Sequence, residues 1–340
     1  MSALAAADTA VAILVRRGER VESWHRVSYA IVDAAGRRRQ VAGDPDRPIF
    51  PRSAVKPLQA LVLLESGAAE RFAVSQPELA LACASHGGEP FHVEAIRRWL
   101  ARLGLDQTAL ECGAHPPLHA PAAERLAAAG RQPEPVHNNC SGKHTGMLAA
   151  ALHLGAPLAG YTAADHPVQR RVVATLAEMA GADQLPAPAI DGCGLPTWPL
   201  SLGQLATALA RLADPAGLAA DRRAACRRVR AAMSAHPKLV AGSGRACTAI
   251  MTAAPEVIVK SGAEGVYGAA LPELGVGIAL KVEDGGGRAA PVALIALLEA
   301  VDALSPTQRT ALDEVARPIL RNHAGRVVGR IEPVAGWPDL

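Results

Sequence analysis

A chain of 340 residues, half of them hydrophobic but only 3% aromatic, with a formal net charge of +3, can bury a large core as one big domain or two small ones. No apolar run reaches the ~18 residues that a membrane span requires, so a membrane-spanning role is excluded. Nucleic acid is excluded as a partner too. The basic clusters Arg37-Arg38-Arg39 and Arg227-Arg228-Val229-Arg230 are short and lack the interleaved aromatics on which bases stack.

Along the chain, Val11 to Val15 and Arg26 to Val32 read as two strands joined at the polar turn Arg17-Gly18-Glu19. A loop rich in turn residues follows at Gly43 to Pro48. Helical periodicity then dominates, most clearly over Lys56 to Ser66, Glu78 to Ala84, Pro90 to Leu103, Gly142 to Leu154, Pro167 to Ala180 and Gly217 to Ala235. Short strands are expected at Val257 to Lys260, Gly265 to Leu271 and Val276 to Val282, then helices over Ala290 to Leu304 and Pro306 to Arg317. Strands far apart in sequence can share one sheet, with the helical block between them as an insertion. The expectation is one catalytic domain over 1–340. Its helical lobe, roughly 52–250, is inserted between sheet-forming segments 10–33 and 255–283. The first residues, Met1 to Asp8, lack a basic stretch ahead of an apolar core and so do not read as a signal peptide. Six cysteines without framework spacing are expected to be reduced thiols in a cytoplasmic protein.

Chemistry is concentrated in a few strings. Ser53-Ala54-Val55-Lys56 opens an apolar run, and a serine and a lysine three residues apart lie on one helical face. A serine hydroxyl is a poor nucleophile until a base takes its proton, and a lysine of lowered pKa can be that base. The bland alternative is a serine cap beside a solvated lysine. Later, Lys260-Ser261-Gly262 follows a strand. In penicillin-recognising serine acyl-enzymes a Ser-x-x-Lys helix faces a Lys-[Ser/Thr]-Gly edge strand, and Ser85 falls between the two here. Cys140 and Cys193 suit zinc, with His144 one turn beyond Cys140. They read equally well as two buried thiols that never meet.

The chain resembles the bacterial L-asparaginase family typified by the Rhizobium etli enzyme. The stretches that carry the resemblance are Pro51-Arg52-Ser53-Ala54-Val55-Lys56-Pro57-Leu58-Gln59, Cys83-Ala84-Ser85-His86 and Asn138-Asn139-Cys140-Ser141-Gly142-Lys143-His144. Asp165-His166-Pro167-Val168-Gln169, Asp191-Gly192-Cys193-Gly194 and Gly262-Ala263-Glu264-Gly265-Val266-Tyr267 match as well. The resemblance implies an α/β (α+β) fold similar to serine β-lactamases and serine-type glutaminases, with an antiparallel sheet and a large helical insertion. It implies two tandems, Ser53 with Lys56 and Ser85 with Lys260. It also implies a zinc ion on Cys140, Lys143 and Cys193, with Arg52, His144, Asp191 and Ser261 as candidates for holding substrate. The expected activity is hydrolysis of L-asparagine to L-aspartate and ammonia by a homodimeric amidohydrolase. A glutaminase, a β-lactam-reactive enzyme and a non-catalytic zinc protein are the alternatives.

Overall fold

The structure is a computed structural model that describes residues 9–338, so the segment Met1 to Asp8 lies outside it. The chain forms two compact units. One gathers Met1–Ala54, Leu200–Asp214 and Ala249–Leu340; the other holds Val55–Pro199 and Pro215–Thr248.

The first unit is built on an antiparallel sheet. Its strands are β1 (Val11–Arg17), β2 (Arg20–Asp33), β3 (Arg38–Ala42), β4 (Ile258–Ser261), β5 (Val266–Leu271), β6 (Val276–Val282), β7 (Ile319–Arg321) and β8 (Val327–Pro333). The order is β7-β8-β1-β2-β6-β5-β4, and β3 also pairs with β2. β2 is long enough to serve two neighbours. Its first half pairs with β1, while Val27 to Asp33 pair with β6, Tyr29 opposite Leu280. β5 and β6 read as continuous apolar runs because both faces are covered. On one face lies the Leu202–Ala213 helix, which the small residues of the sheet admit closely. A Cβ on Gly277 would collide with the Ala206 carbonyl, and one on Gly268 would come within 2.5 Å of Leu209 Cδ1. The Ala290–Ala300 helix packs on β1, β5, β6 and β8.

Two features of this unit escape a reading by periodicity. The Leu202–Ala213 helix belongs with the sheet rather than with the helical block that precedes it in sequence. The chain also ends on the paired strands β7 and β8; β7 is exposed or half-buried throughout, and in β8 only Gly329 and Ile331 are buried.

The second unit is mostly helical, centred on the Ser141–Leu154 helix, whose residues Ser141 to Ala151 are all buried. Helices Leu61–Glu65, Gln76–Ala82, Pro90–Arg102 and Pro167–Ala180 surround it. A Cβ at Gly142 would collide with the Leu81 carbonyl, so this crossing requires glycine. The helix expected over Lys56 to Ser66 is instead two short pieces, Lys56–Gln59 and Leu61–Glu65, preceded by the 3₁₀ turn Arg52–Val55.

His92 is fully buried at the start of the Pro90–Arg102 helix. Its Nδ1 accepts from Glu89 N–H at 3.2 Å, so its Nε2–H donates to the Lys238 carbonyl at 2.9 Å. Burial holds its pKa down at about 4. Because the folded value lies below the unfolded one, the neutral ring stabilises the fold above about pH 6.5, and that contribution is lost as pH falls through 4. The expected loss is about 3 kcal/mol over that window. Urea titrations at several pH values check it: His92→Gln should flatten the dependence, and an unchanged slope would contradict the assignment.

Candidate active site

In the first unit, the stretch leading into Ser53 is strained. Arg52 has φ of 50°, in the left-handed region, which costs a non-glycine residue ~1–3 kcal/mol and recurs at functional sites. Ala54 N–H donates to the Pro51 carbonyl at 3.0 Å, closing the turn that carries Ser53. That same carbonyl lies against Gly262, where a Cβ would sit only 2.6 Å away. Thus the end of β4, with Lys260-Ser261-Gly262, is packed on the turn that holds Ser53. β4 is an edge strand of the sheet, as expected for such a motif. Lys260 is 2% exposed, on the same face of the sheet as its partner Gly268. Its ammonium donates to the Ser261 carbonyl at 2.7 Å. Arg52, Ser53 and Ser261 are half-buried.

The second unit holds a denser cluster. Lys56 is 1% exposed, and its Nζ donates to three groups. They are the Ala84 carbonyl at 2.6 Å, Ser85 Oγ at 2.9 Å and Cys140 Sγ at 3.2 Å. Burial lowers the Lys56 pKa, and Lys143 adds to that by repulsion, while the Cys140 sulfur opposes it. Cys140 shifts toward its charged form. Its thiol is pulled well below the ordinary range by a hydrogen bond from Cys193 and by the two lysines. Cys193 is pushed up for the complementary reason, since it supplies the proton of that bond and is buried. Lys143 Nζ donates to Cys193 Sγ at 3.4 Å. Burial alone would lower the Lys143 pKa, but the neighbouring sulfurs outweigh it and the shift is upward.

Each member is set by local geometry. Cys140 follows an Asx turn in which its N–H donates to Asn138 Oδ1 at 2.8 Å, and Asn138 Nδ2 donates to the Cys112 carbonyl at 2.8 Å. Cys193 sits in a tight turn closed by Asp191 N–H to the Leu195 carbonyl at 2.8 Å, with Gly194 at φ 82°. Asp191 is half-buried in the same turn, near enough to raise the Lys143 pKa. Ser85 is fixed by its N–H to the Val240 carbonyl at 2.9 Å.

Two residues without an assigned role in the sequence reading complete the support. His86 Nδ1 accepts from Gly88 N–H, so its Nε2–H donates to Ser141 Oγ at 2.9 Å. Ser141 in turn donates to the Val136 carbonyl at 3.0 Å. This chain ties the loop after Ser85 to the helix that begins next to Cys140. Burial holds His86 neutral. Tyr161 takes a hydrogen bond from Glu111 N–H at 2.9 Å and donates to His144 Nδ1 at 2.6 Å. The opposite nitrogen of His144, Nε2, is buried without a partner among the described residues. An unpaired donor at that depth costs ~1–3 kcal/mol, which a polar ligand would recover.

Among the described residues no three of His, Cys, Asp and Glu converge as a metal cluster. The donors that do converge are two cysteine sulfurs and a lysine nitrogen. Two thiolates suit zinc, and the lysine joins them as a ligand only with its amine neutral, since an ammonium has no lone pair to donate. Lys56 Nζ reaches Cys140 Sγ at 3.2 Å and Lys143 Nζ reaches Cys193 Sγ at 3.4 Å, so each sulfur has a buried amine beside it.

Among solved structures, the protein Mglu in its native form is similar over 82% of this chain and 65% of its own, with 18% identity and a TM-score of 0.47. Mglu in its glutamate form gives 18% identity, the same coverage of this chain, 61% of its own and the same TM-score. The chain thus spans slightly less than two thirds of these two Mglu structures. A β-lactamase from Mycobacterium bovis is 14% identical over 85% of this chain and 95% of its own, with a TM-score of 0.42. No curated protein matches the sequence. A family profile described as L-asparaginase II does match, and it runs from residue 13 to residue 333. That range takes in both units and every site residue described above, and the chain belongs to the L-asparaginase II family.

Proposed function

We propose that the protein hydrolyses the side-chain amide of L-asparagine to L-aspartate and ammonia through a serine acyl-enzyme. The observation that carries this reading is the buried Lys56 amine, 2.9 Å from Ser85 Oγ and with a lowered pKa. Such an amine can accept a hydroxyl proton. Ser53 is assigned as the nucleophile from its position one turn ahead of Lys56 in the motif. Its oxygen bonds to the amide carbon, the C–N bond breaks, and the proton held by the base goes to the leaving ammonia. A water molecule then attacks the ester, giving up its proton as Ser53 takes one back. Ser85 holds Lys56 in place and passes protons. Lys260 supplies positive charge from the edge strand beside the Ser53 turn. His144 Nε2, without a partner among the described residues, is assigned to the substrate's amino-acid head; Arg52, Ser261 and Asp191 are assigned to it from the family resemblance alone.

Cys140, Lys143 and Cys193 would hold a zinc ion. When bound, it would supply a fixed positive charge that keeps the sulfurs deprotonated and ties the 138–143 and 191–195 turns together. Protein purified without chelator is expected to contain about one zinc per chain. Cys140→Ala and Cys193→Ala should lose it and melt earlier. Elemental analysis finding no metal, or equal metal in both variants, would overturn this assignment.

We further assign the protein to the Rhizobium etli type, with a β-lactamase- and glutaminase-like fold, and to the cytoplasm as a homodimer. All six cysteines are buried and none is in a disulfide among the described residues, which suits a reducing compartment; analytical ultracentrifugation tests the dimer. The activity test is ammonia release from asparagine, glutamine, short amides and a chromogenic β-lactam. Ser53→Ala should abolish it, whereas Ser85→Ala should leave a slow residual rate. The reverse order would move the nucleophile to Ser85, and turnover of the β-lactam alone would replace the asparaginase reading.

A further inference from the structure

In the second unit a cavity of about 460 Å³, lined by none of Lys56, Ser85, Cys140, Lys143 and Cys193, lies between the Pro90–Arg102 helix and the Ala120–Ala128 helix. Pro90, Val93, Glu94, Arg97 and Arg98 line it from the first helix, at the spacing of a single helical face. Ala122, Arg125 and Leu126 face them from the second. The floor is apolar: Val93 and Ala122 are buried and Leu126 is half-buried. The rim is different in kind.

Arg97, Arg98, Arg125 and Arg131 all open onto this space. Glu134 is shared by Arg97 and Arg131, and Glu94 pairs with Arg98 at 2.8 Å. The Arg125 guanidinium makes no ion pair or hydrogen bond among the described residues. Four guanidinium groups against two carboxylates leave the rim positive. Such a surface repels cations and attracts an anion, and the planar guanidinium fork matches a phosphate through paired hydrogen bonds. The volume is in the range of small-molecule sites and exceeds what one inorganic phosphate fills. The apolar floor calls for an uncharged flat body, on which guanidinium planes can also stack.

We propose that this groove binds a small amphiphilic anion, a flat ring carrying a phosphate, at a site separate from the Lys56 cluster. The site does not depend on what the Ser–Lys residues do. One end of the groove is made by Gly88 and His137, and a Cβ on Gly88 would come within 2.9 Å of the His137 carbonyl. A side chain at position 88 has no room there. The charged contacts of the groove therefore fall to the arginines.

The test is isothermal titration of the full-length protein with adenosine 5′-monophosphate, adenosine and inorganic phosphate at low salt. The nucleotide should bind once per chain, with adenosine and phosphate each at least about 10-fold weaker, since each lacks one of the two contacts. Arg98→Glu and Arg125→Glu, both at exposed positions, should weaken nucleotide binding by at least about 10-fold while leaving ammonia release unchanged. Three results would overturn the proposal: no nucleotide binding at millimolar concentration, binding indifferent to both substitutions, or displacement of the nucleotide by asparagine.

Discussion

Lys56→Met is expected to lower ammonia release from asparagine by at least about a thousandfold, within the span that a positioned proton-transfer group contributes. Methionine matches the length of the side chain but can neither accept a proton nor donate one. The loss would combine two effects. The base disappears, and the Ala84 carbonyl, Ser85 Oγ and Cys140 Sγ lose the group that now binds all three. The second effect makes folding a necessary control, because three buried polar groups would each lose a hydrogen-bond partner. Thermal melting and circular dichroism of the variant serve that purpose. A variant that folds, melts within a few degrees of the parent and is inactive supports the base. One that folds and keeps a tenth or more of the parental rate removes Lys56 from the chemistry. Lys56→Arg is informative beside it. An arginine stays charged at every accessible pH, so it should preserve much of the stability and none of the proton acceptance.

Asparagine is expected to be preferred over glutamine by at least about a hundredfold in kcat/KM, from pocket and alignment contributions together. The two substrates share a reacting amide and differ by one methylene between it and the amino-acid head. If charged and hydrogen-bonding groups fix the head, the added methylene displaces the glutamine carbonyl from the nucleophile. Pocket contacts with one methylene give only ~1–3 kcal/mol. Misplacement of the reacting carbon can cost about another hundredfold, because attack requires near-contact alignment. His144→Leu tests where the head is held. Removing the Nε2 donor should raise KM for both substrates and narrow the ratio between them. Comparable kcat/KM values in the unaltered enzyme would mean a loosely held head and a glutaminase-asparaginase. Side-by-side kinetics of the two amides decide the matter.

Much of this was legible locally. β5 and β6 declare themselves as apolar runs bounded by turn residues, and Val276 to Val282 is a strand with the bounds expected of it. The Pro167–Ala180 helix does so through its proline start and glycine stop. Local signals failed where burial removed the periodicity. Around Lys56 the chain is buried from Ala54 to Leu64, so no polar face marks the break between the Lys56–Gln59 and Leu61–Glu65 helices. They also failed where strands are short and partly exposed, as in β3, β7 and β8.

The sequence by itself determined which residues could carry chemistry: Ser53, Lys56, Ser85, Lys260 and the paired cysteines stand out by type and by the strings around them. Spacing is a property of the chain, and a motif such as Ser-x-x-Lys or Lys-Ser-Gly needs only local backbone to present its groups. The tertiary structure decided which of these groups meet. That Lys56 reaches Ser85, 29 residues on, and Cys140, 84 residues on, depends on how distant segments pack. So does the approach of Lys143 to Cys193, 50 residues on, at 3.4 Å. The charge state of the cluster follows from that meeting, because burial raises the cost of every ion and only a neighbour of the opposite sign offsets it.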